Sequence, residues 1–278
     1  MTDNTPDTPE RKLDVSTSTP RGAGRPGSRP GAGSAATAAR SSQRGPIHAG
    51  ATSGHPWREA GGYDVDLAEA VFALGTGLPV AELAVAGDPA TGRAAAAALW
   101  MARVWGDRDG YACLCVGEGG HLGTGGRYQF RRFRQSFHPW PARRARLLGQ
   151  AMAAAPHADV YVGVLLRDRP SRRVGTALPG RVVWADVDGP WTAERAQALL
   201  RLDGHPVWQV ASGSGRHVYL PLDQPEGPDR LEGWNRRLGA LLDADSGWSE
   251  TKLLRLPGTY NHKPRAAGGR PVLVEWLR

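Results

Sequence analysis

The strongest constraint on this chain is an apolar run that ends in paired carboxylates. Residues 181–190 read Arg-Val-Val-Trp-Ala-Asp-Val-Asp-Gly-Pro. A short run rich in Val and Trp predicts a buried β-strand. Gly189 and Pro190 end it, because proline has no N–H to give to a ladder. Side chains alternate faces along a strand, so Asp186 and Asp188 project together from its end. Two such carboxylates repel unless a cation or a shared proton lies between them. Hard divalent ions such as Mg²⁺ take oxygen ligands of this kind. An isolated Asp-x-Asp is also what a solvated strand end looks like.

Two later strings give the carboxylates a context. Ser212, Gly213, Ser214, Gly215, Arg216 and His217 form a Gly-rich turn that closes on a histidine. Residues 254–263 read Leu-Arg-Leu-Pro-Gly-Thr-Tyr-Asn-His-Lys. Carboxylates, a Gly-rich turn with His, and an Arg/Asn/Lys cluster are parts expected where a metal-bound triphosphate is handled. Lysine occurs only at Lys12, Lys252 and Lys263, and asparagine only at Asn4, Asn235 and Asn261. In a chain this sparing of both types, Asn261 and Lys263 two residues apart are unlike filler.

The 278 residues allow one large or two modest domains. A formal net charge of +8, carried almost wholly by arginine, favours a polyanionic partner such as nucleic acid. The two cysteines, Cys113 and Cys115, form no disulfide framework, which suits a reducing compartment. No apolar run reaches membrane-spanning length, and the N-terminus lacks the apolar segment of a secretory signal. The expected setting is the cytoplasm.

Residues 1–60 are dominated by Pro, Gly, Ser, Thr, Ala and Arg and predict a disordered basic tail. Residues 61–109 predict a helical accessory region, with Asp66 and Thr91 as capping residues and no evident chemistry. Residues 110–278 mix strands and helices without a strict βαβ repeat, which is the α+β class. Cys113 and Cys115 fall on a strand, where they read as core thiols rather than a zinc site. The Gly-rich residues 117–126 lack a Gly-Lys-Ser/Thr ending and read as a flexible connection. Arg131, Arg132 and Arg134 alternate with Tyr128, Phe130, Phe133 and Phe137. That pattern fits either a half-buried strand with a charged outer face or a surface for single-stranded nucleic acid, where rings stack and arginines hold phosphate. Thr192 predicts a capped helix through Leu202, residues 207–211 and 218–222 a hairpin with His217 at its mouth, and residues 229–242 a helix.

The order of these motifs resembles the primase-polymerase branch of the archaeo-eukaryotic primase superfamily, over roughly residues 110–278. Such domains occur in plasmid, phage and integrated-element replication proteins. The resemblance implies a small α/β unit packed on an RRM-like unit, with the active site between them. It implies a DNA primase or DNA-directed polymerase, a nucleotidyltransferase acting on a single-stranded DNA template with NTP or dNTP substrates, with a replicative helicase in cis or trans. It also implies three acidic ligands for two Mg²⁺ or Mn²⁺ ions. Asp186 and Asp188 match the first motif, and Asp245 is the best third, with Asp243 second. One ion would lower the pKa of a primer hydroxyl and the other would neutralise the incoming triphosphate. Nucleotide contacts fall to Ser212, Gly213, Ser214, Gly215, Arg216, His217, Arg255, Asn261 and Lys263. Where the family often has serine two residues before the histidine, this chain has Gly215.

Two other classes compete. A non-catalytic primase-like module that binds single-stranded DNA or an origin would be expected to lose the carboxylates, which are present. A rolling-circle initiator nuclease needs His-x-His and a nearby tyrosine nucleophile, and no His-x-His occurs. A P-loop helicase needs the missing Gly-Lys-Ser/Thr motif.

Overall fold

The computed structural model describes residues 89–202 and 205–277. The expected basic tail and the helix expected from Asp66 lie outside these residues.

The described part begins with helix α1, Pro89–Trp105, whose sequence is half alanine in its middle. Alanine is the best helix former and leaves a thin helix that neighbours can approach closely. Ala94, Ala97, Ala98, Trp100 and Met101 are all buried, so α1 is covered on several sides. It shares one core with both sheets and is not an appendage to them.

Strands β1 (Gly110–Glu118), β4 (Arg132–Trp140), β5 (Asp159–Gly163) and β9 (Leu253–Arg255) form the first sheet, in the order β4-β1-β5-β9. Every pairing is antiparallel, and β1 and β4 are in register from Gly110↔Trp140 to Glu118↔Arg132. The segment expected to be a flexible connection instead folds back as a short hairpin of β2 (His121–Leu122) and β3 (Tyr128–Gln129). Helix α2, Arg144–Ala154, follows β4 and buries Leu147, Leu148 and Ala151.

The second sheet is also antiparallel, in the order β12-β7-β8-β6. Its strands are β6 (Gly180–Asp188), β7 (Trp208–Ala211), β8 (Gly215–Glu226) and β12 (Glu275–Leu277). The expected hairpin is β7–β8, with Ala211 opposite Arg216. Helix α3, Ala193–Leu200, is capped by the Thr192 hydroxyl, which accepts from the Arg195 N–H as its sequence predicts. Helix α4, Pro228–Leu242, packs on β6. Two short strands, β10 (Tyr260–Asn261) and β11 (Val272–Leu273), pair on their own. The class is α+β, as expected.

Tryptophans join the layers. Trp105 packs edge-on against Trp100 and Trp140, and Trp100 against Tyr219 of β8. Trp105 Nε1 donates to the Val164 carbonyl beyond β5, 3.1 Å away. Cys113 and Cys115 are fully buried, with their sulfurs 3.7 Å apart, as core thiols would be. No described helix is long and apolar enough to cross a membrane.

Candidate active site

The site is built at the free edge of β6. Among the described residues β6 pairs only with β8, so on its other edge the described strands leave backbone groups that must be satisfied. The segment after α4 does this. Asn235, buried in α4, accepts from the Trp184 N–H (2.8 Å). The Asp245 N–H donates to the Asp186 carbonyl (3.2 Å). Trp184 Nε1 donates to the Gly247 carbonyl (3.0 Å). These bonds hold Asp245 beside Asp186, although the two are far apart in sequence.

Asp243, the second choice for a third carboxylate, is placed elsewhere. It closes α4 in the left-handed region (φ 49°), and its side chain is 99% exposed near Arg195. Arg195 ties that turn to the end of β6 by donating to the carbonyls of Leu242, Asp243, Asp188 and Pro190.

On β8, His217 lies opposite Asp186, with Nε2 3.6 Å from Asp186 Oδ1 and Nδ1 3.4 Å from the Tyr219 hydroxyl. Burial pulls the imidazole down to about 4, and Asp186 only partly opposes this. His217 is therefore neutral at pH 7, and its contact with Asp186 is not an ion pair. Lys252 supplies the positive charge instead. Its ammonium is 2.7 Å from Asp186 Oδ2 and 3.7 Å from Asp245 Oδ2. Burial works to raise the Asp186 pKa, but His217, which carries charge only at the low pH where a carboxylate titrates, outweighs it together with Lys252 and Arg255 and holds the pKa below the ordinary carboxylate value. Asp245 moves the other way: burial raises it, as do Asp186 and Asp188, against the pull of Lys252. Asp188 is exposed at the strand end, on the face of Asp186.

The Gly-rich turn owes its composition to close contacts. Gly213 has φ +94°, and a Cβ there would press on the Asn261 amide. A Cβ on Gly215 would collide with the Val187 carbonyl oxygen of the paired strand, so no serine fits at that place. Ser212 is buried, and its carbonyl accepts from Asn261 Nδ2 (2.9 Å). The other end of the Asn261 amide accepts from the Lys263 N–H (3.0 Å). Asn261 thus clasps the two motif loops together, while Ser214 and Lys263 are exposed. Arg216 points away from Asp186, over the Trp191 ring and towards Gln209.

Arg255 leaves β9 opposite Tyr161 of β5. Its guanidinium donates to Asp159 Oδ1 and the Tyr161 hydroxyl and lies over the Tyr161 ring. Asp159, fully buried, also accepts from the Tyr128 hydroxyl (2.8 Å) and the His262 N–H (3.1 Å). Beyond Tyr161, the rings of Phe130 and Phe133 continue along the first sheet at centroid spacings near 6 Å, from 5.6 to 6.4 Å. Arg131, Arg132 and Arg134 are exposed around them, and Phe133 is 44% exposed.

The Pro-Gly-Thr turn rests on α1. Gly258 has φ +82°, and a Cβ there would collide with the Arg93 carbonyl of that helix. The turn also exchanges backbone hydrogen bonds with Val274 on both sides.

No family model matches the chain, and no curated protein matches it. Solved structures do. The chain is similar to the primase-polymerase domain of cyanophage S-2L, with 13% identity over 60% of this chain and 80% of that one, at a TM-score of 0.43. It is similar to the catalytic domain of the primase RepB' in complex with initiator DNA, with 17% identity over 69% and 85%, TM-score 0.43. The polymerase domain of Mycobacterium tuberculosis ligase D, in complex with DNA, gives 17% over 68% and 83%, TM-score 0.37. These likenesses are of backbones and assign no role to a residue of this chain.

Sequence reasoning missed Lys252, Asp159, Tyr161 and Arg195. Only Lys252 carried a signal, as one of three lysines in a chain that otherwise uses arginine.

Proposed function

We propose that this chain is a nucleotidyltransferase that builds a strand on single-stranded DNA, as a DNA primase or polymerase. The observation that carries the reading is the meeting of Asp186 and Asp245 on one ammonium, with His217 packed against Asp186 and Asp188 at the adjoining strand end.

Among the described residues, no three His, Cys, Asp or Glu side chains converge into a ready-made metal cage. The donor chemistry nevertheless fits a hard divalent ion. The available groups are carboxylate oxygens, and a positive charge already stands between two of them. Mg²⁺ or Mn²⁺ held by Asp186, Asp188 and Asp245 would supply charge neutralisation for a triphosphate and acidify an attacking hydroxyl. His217, neutral and buried, packs against one oxygen of Asp186. Arg255, fixed by Asp159 and Tyr161, presents an oriented positive group to phosphate. Gly213 leaves backbone open at the turn, and Lys263 adds an exposed point charge. The row of Phe130, Phe133 and Tyr161 with its exposed arginines offers stacking and phosphate contacts to an unpaired template.

The test is primer extension and unprimed synthesis on single-stranded DNA with Mg²⁺ or Mn²⁺, beside the Asp186→Ala/Asp188→Ala double variant. Metal-dependent product that disappears in the variant is expected. Binding of single-stranded DNA with no product in any lane would favour a non-catalytic binding module.

A further inference from the structure

A polymerase site explains why carboxylates gather at the end of β6. It does not explain why a lysine already stands among them. Lys252 Nζ bridges Asp186 and Asp245, with its side chain only 16% exposed. Its base is fixed, because its N–H donates to the Ser249 carbonyl and its own carbonyl accepts from Val164. Room for the ammonium comes from Gly247, where a Cβ would meet Nζ. The chain uses arginine nearly everywhere else, and the compact ammonium is the smaller cation in a gap that has no room for a Cβ at Gly247. The oxygen that Lys252 holds most closely, Asp186 Oδ2, is one that a divalent ion would need, and two cations cannot share that gap without strong repulsion.

Building on the nucleotidyltransferase reading, we infer that Lys252 is the resident counter-ion of the carboxylate site and must leave its seat before a divalent ion loads. In the metal-free protein it holds together two carboxylates that would otherwise repel. On loading, the ammonium is displaced but stays tethered beside the site, where an arriving triphosphate brings fresh negative charge. Lys252 therefore sets the metal concentration at which the site fills.

The experiment titrates Mn²⁺ into the metal-free full chain, following free Mn²⁺ by electron paramagnetic resonance and metal-free stability by thermal unfolding. Lys252→Met is expected to bind Mn²⁺ at least about tenfold more tightly, as loss of a competing cation in contact implies. It is also expected to unfold at a lower temperature without metal, since Asp186 and Asp245 then face each other unscreened. Arg230→Gln, on the exposed side of α4, removes one positive charge elsewhere and is expected to change neither quantity. Gly247→Ala keeps every charge, presses chiefly on the end of the Lys252 side chain and more lightly on Asp245 Oδ1, and is expected to shift Mn²⁺ affinity in the same direction. It carries the test if Lys252→Met does not fold. Equal or weaker Mn²⁺ binding in these variants, with the parent chain still loading metal, overturns the counter-ion role and leaves the polymerase reading standing. Failure of both parent and variants to bind Mn²⁺ overturns both.

Discussion

At the scale of single residues, Asp159 governs the basic side of the site. It is fully buried and gathers the Tyr128 hydroxyl, the Arg255 guanidinium and the His262 N–H. A buried carboxylate is tolerable only when its lone pairs are filled, and here several donors fill them. Removing its charge would strand a guanidinium whose side chain is only 13% exposed. Asp159→Asn is therefore expected to cost about 3 kcal/mol of stability, the usual penalty for breaking one partner of a buried pair. Urea denaturation measures it. In the Asp159→Asn/Arg255→Leu double variant the loss should be clearly smaller than the sum of the two single losses, because the stranded charge is gone. An additive double variant would show that the pair is not the reason. None of this was legible in the chain. Asp159 reads there as the first residue of an apolar strand, and its partners lie 31, 96 and 103 positions away. Asp186, Asp188 and His217 were legible because local patterns carry them: a strand ending in Asp-x-Asp, and a hairpin whose turn closes on histidine. Lys252 was not, because its meaning lies in a gap that only the crossing of β6 with the segment after α4 creates.

Among the elements, α1 is the one whose sequence says least and whose packing says most. An Ala-rich segment without a strong polar face reads as a generic helix, and an accessory role was the natural expectation. Its alanines are small because both sheets and the Pro-Gly-Thr turn come close to it. Trp276 Nε1 donates to the Ala96 carbonyl, Arg103 lies over Trp208 and Trp276, and Arg93 over Tyr260. The helix thus braces the strand that carries Asn261 and the edge of the second sheet together. Trp105 is its best single handle, since it is buried, meets two other tryptophan rings and donates to the backbone just beyond β5. Trp105→Ala is expected to cost about 3–5 kcal/mol, as large buried aromatics do. Thermal or urea unfolding checks this, and a loss under 1 kcal/mol, small on the scale of a core truncation, would mean that α1 is dispensable to the core. The elements that the sequence did reveal, the β7–β8 hairpin, the Thr192-capped helix and α4, are those whose period and caps are local. The order of strands within each sheet was not legible, because antiparallel neighbours such as β5 and β9 are joined by long excursions through the other sheet.

For the whole molecule, the useful probe is a titrating group inside the shared core but away from the carboxylates. His138 on β4 is such a group. It is buried, its Nε2 lies 3.0 Å from the Ser136 hydroxyl, and burial, with a smaller push from Arg146, pulls it down to about 4. In the unfolded chain the same imidazole titrates near 6.5 (the approximate model-peptide value). Between those values the unfolded chain binds the proton and the folded chain does not, so stability falls as pH drops through that window. Above the unfolded value both states are neutral and the full stability is present. Below the folded value both are protonated and the loss stops growing. Over the whole window one histidine of this kind removes at most about 3 kcal/mol, and over the upper part, from pH 6.5 to 5, about 2 kcal/mol. That upper part is the cleaner range, because the ordinary carboxylates have yet to take up protons there. Urea midpoints measured from pH 7 to 5 should therefore fall in the parent chain and fall less steeply in His138→Gln. Because α1 and both sheets share one core, the change should appear as a shift of one cooperative transition, with tryptophan fluorescence and far-ultraviolet circular dichroism moving together. Parallel slopes in the two proteins would place the acid sensitivity elsewhere, and separate transitions for the two probes would show that the sheets do not unfold as one body.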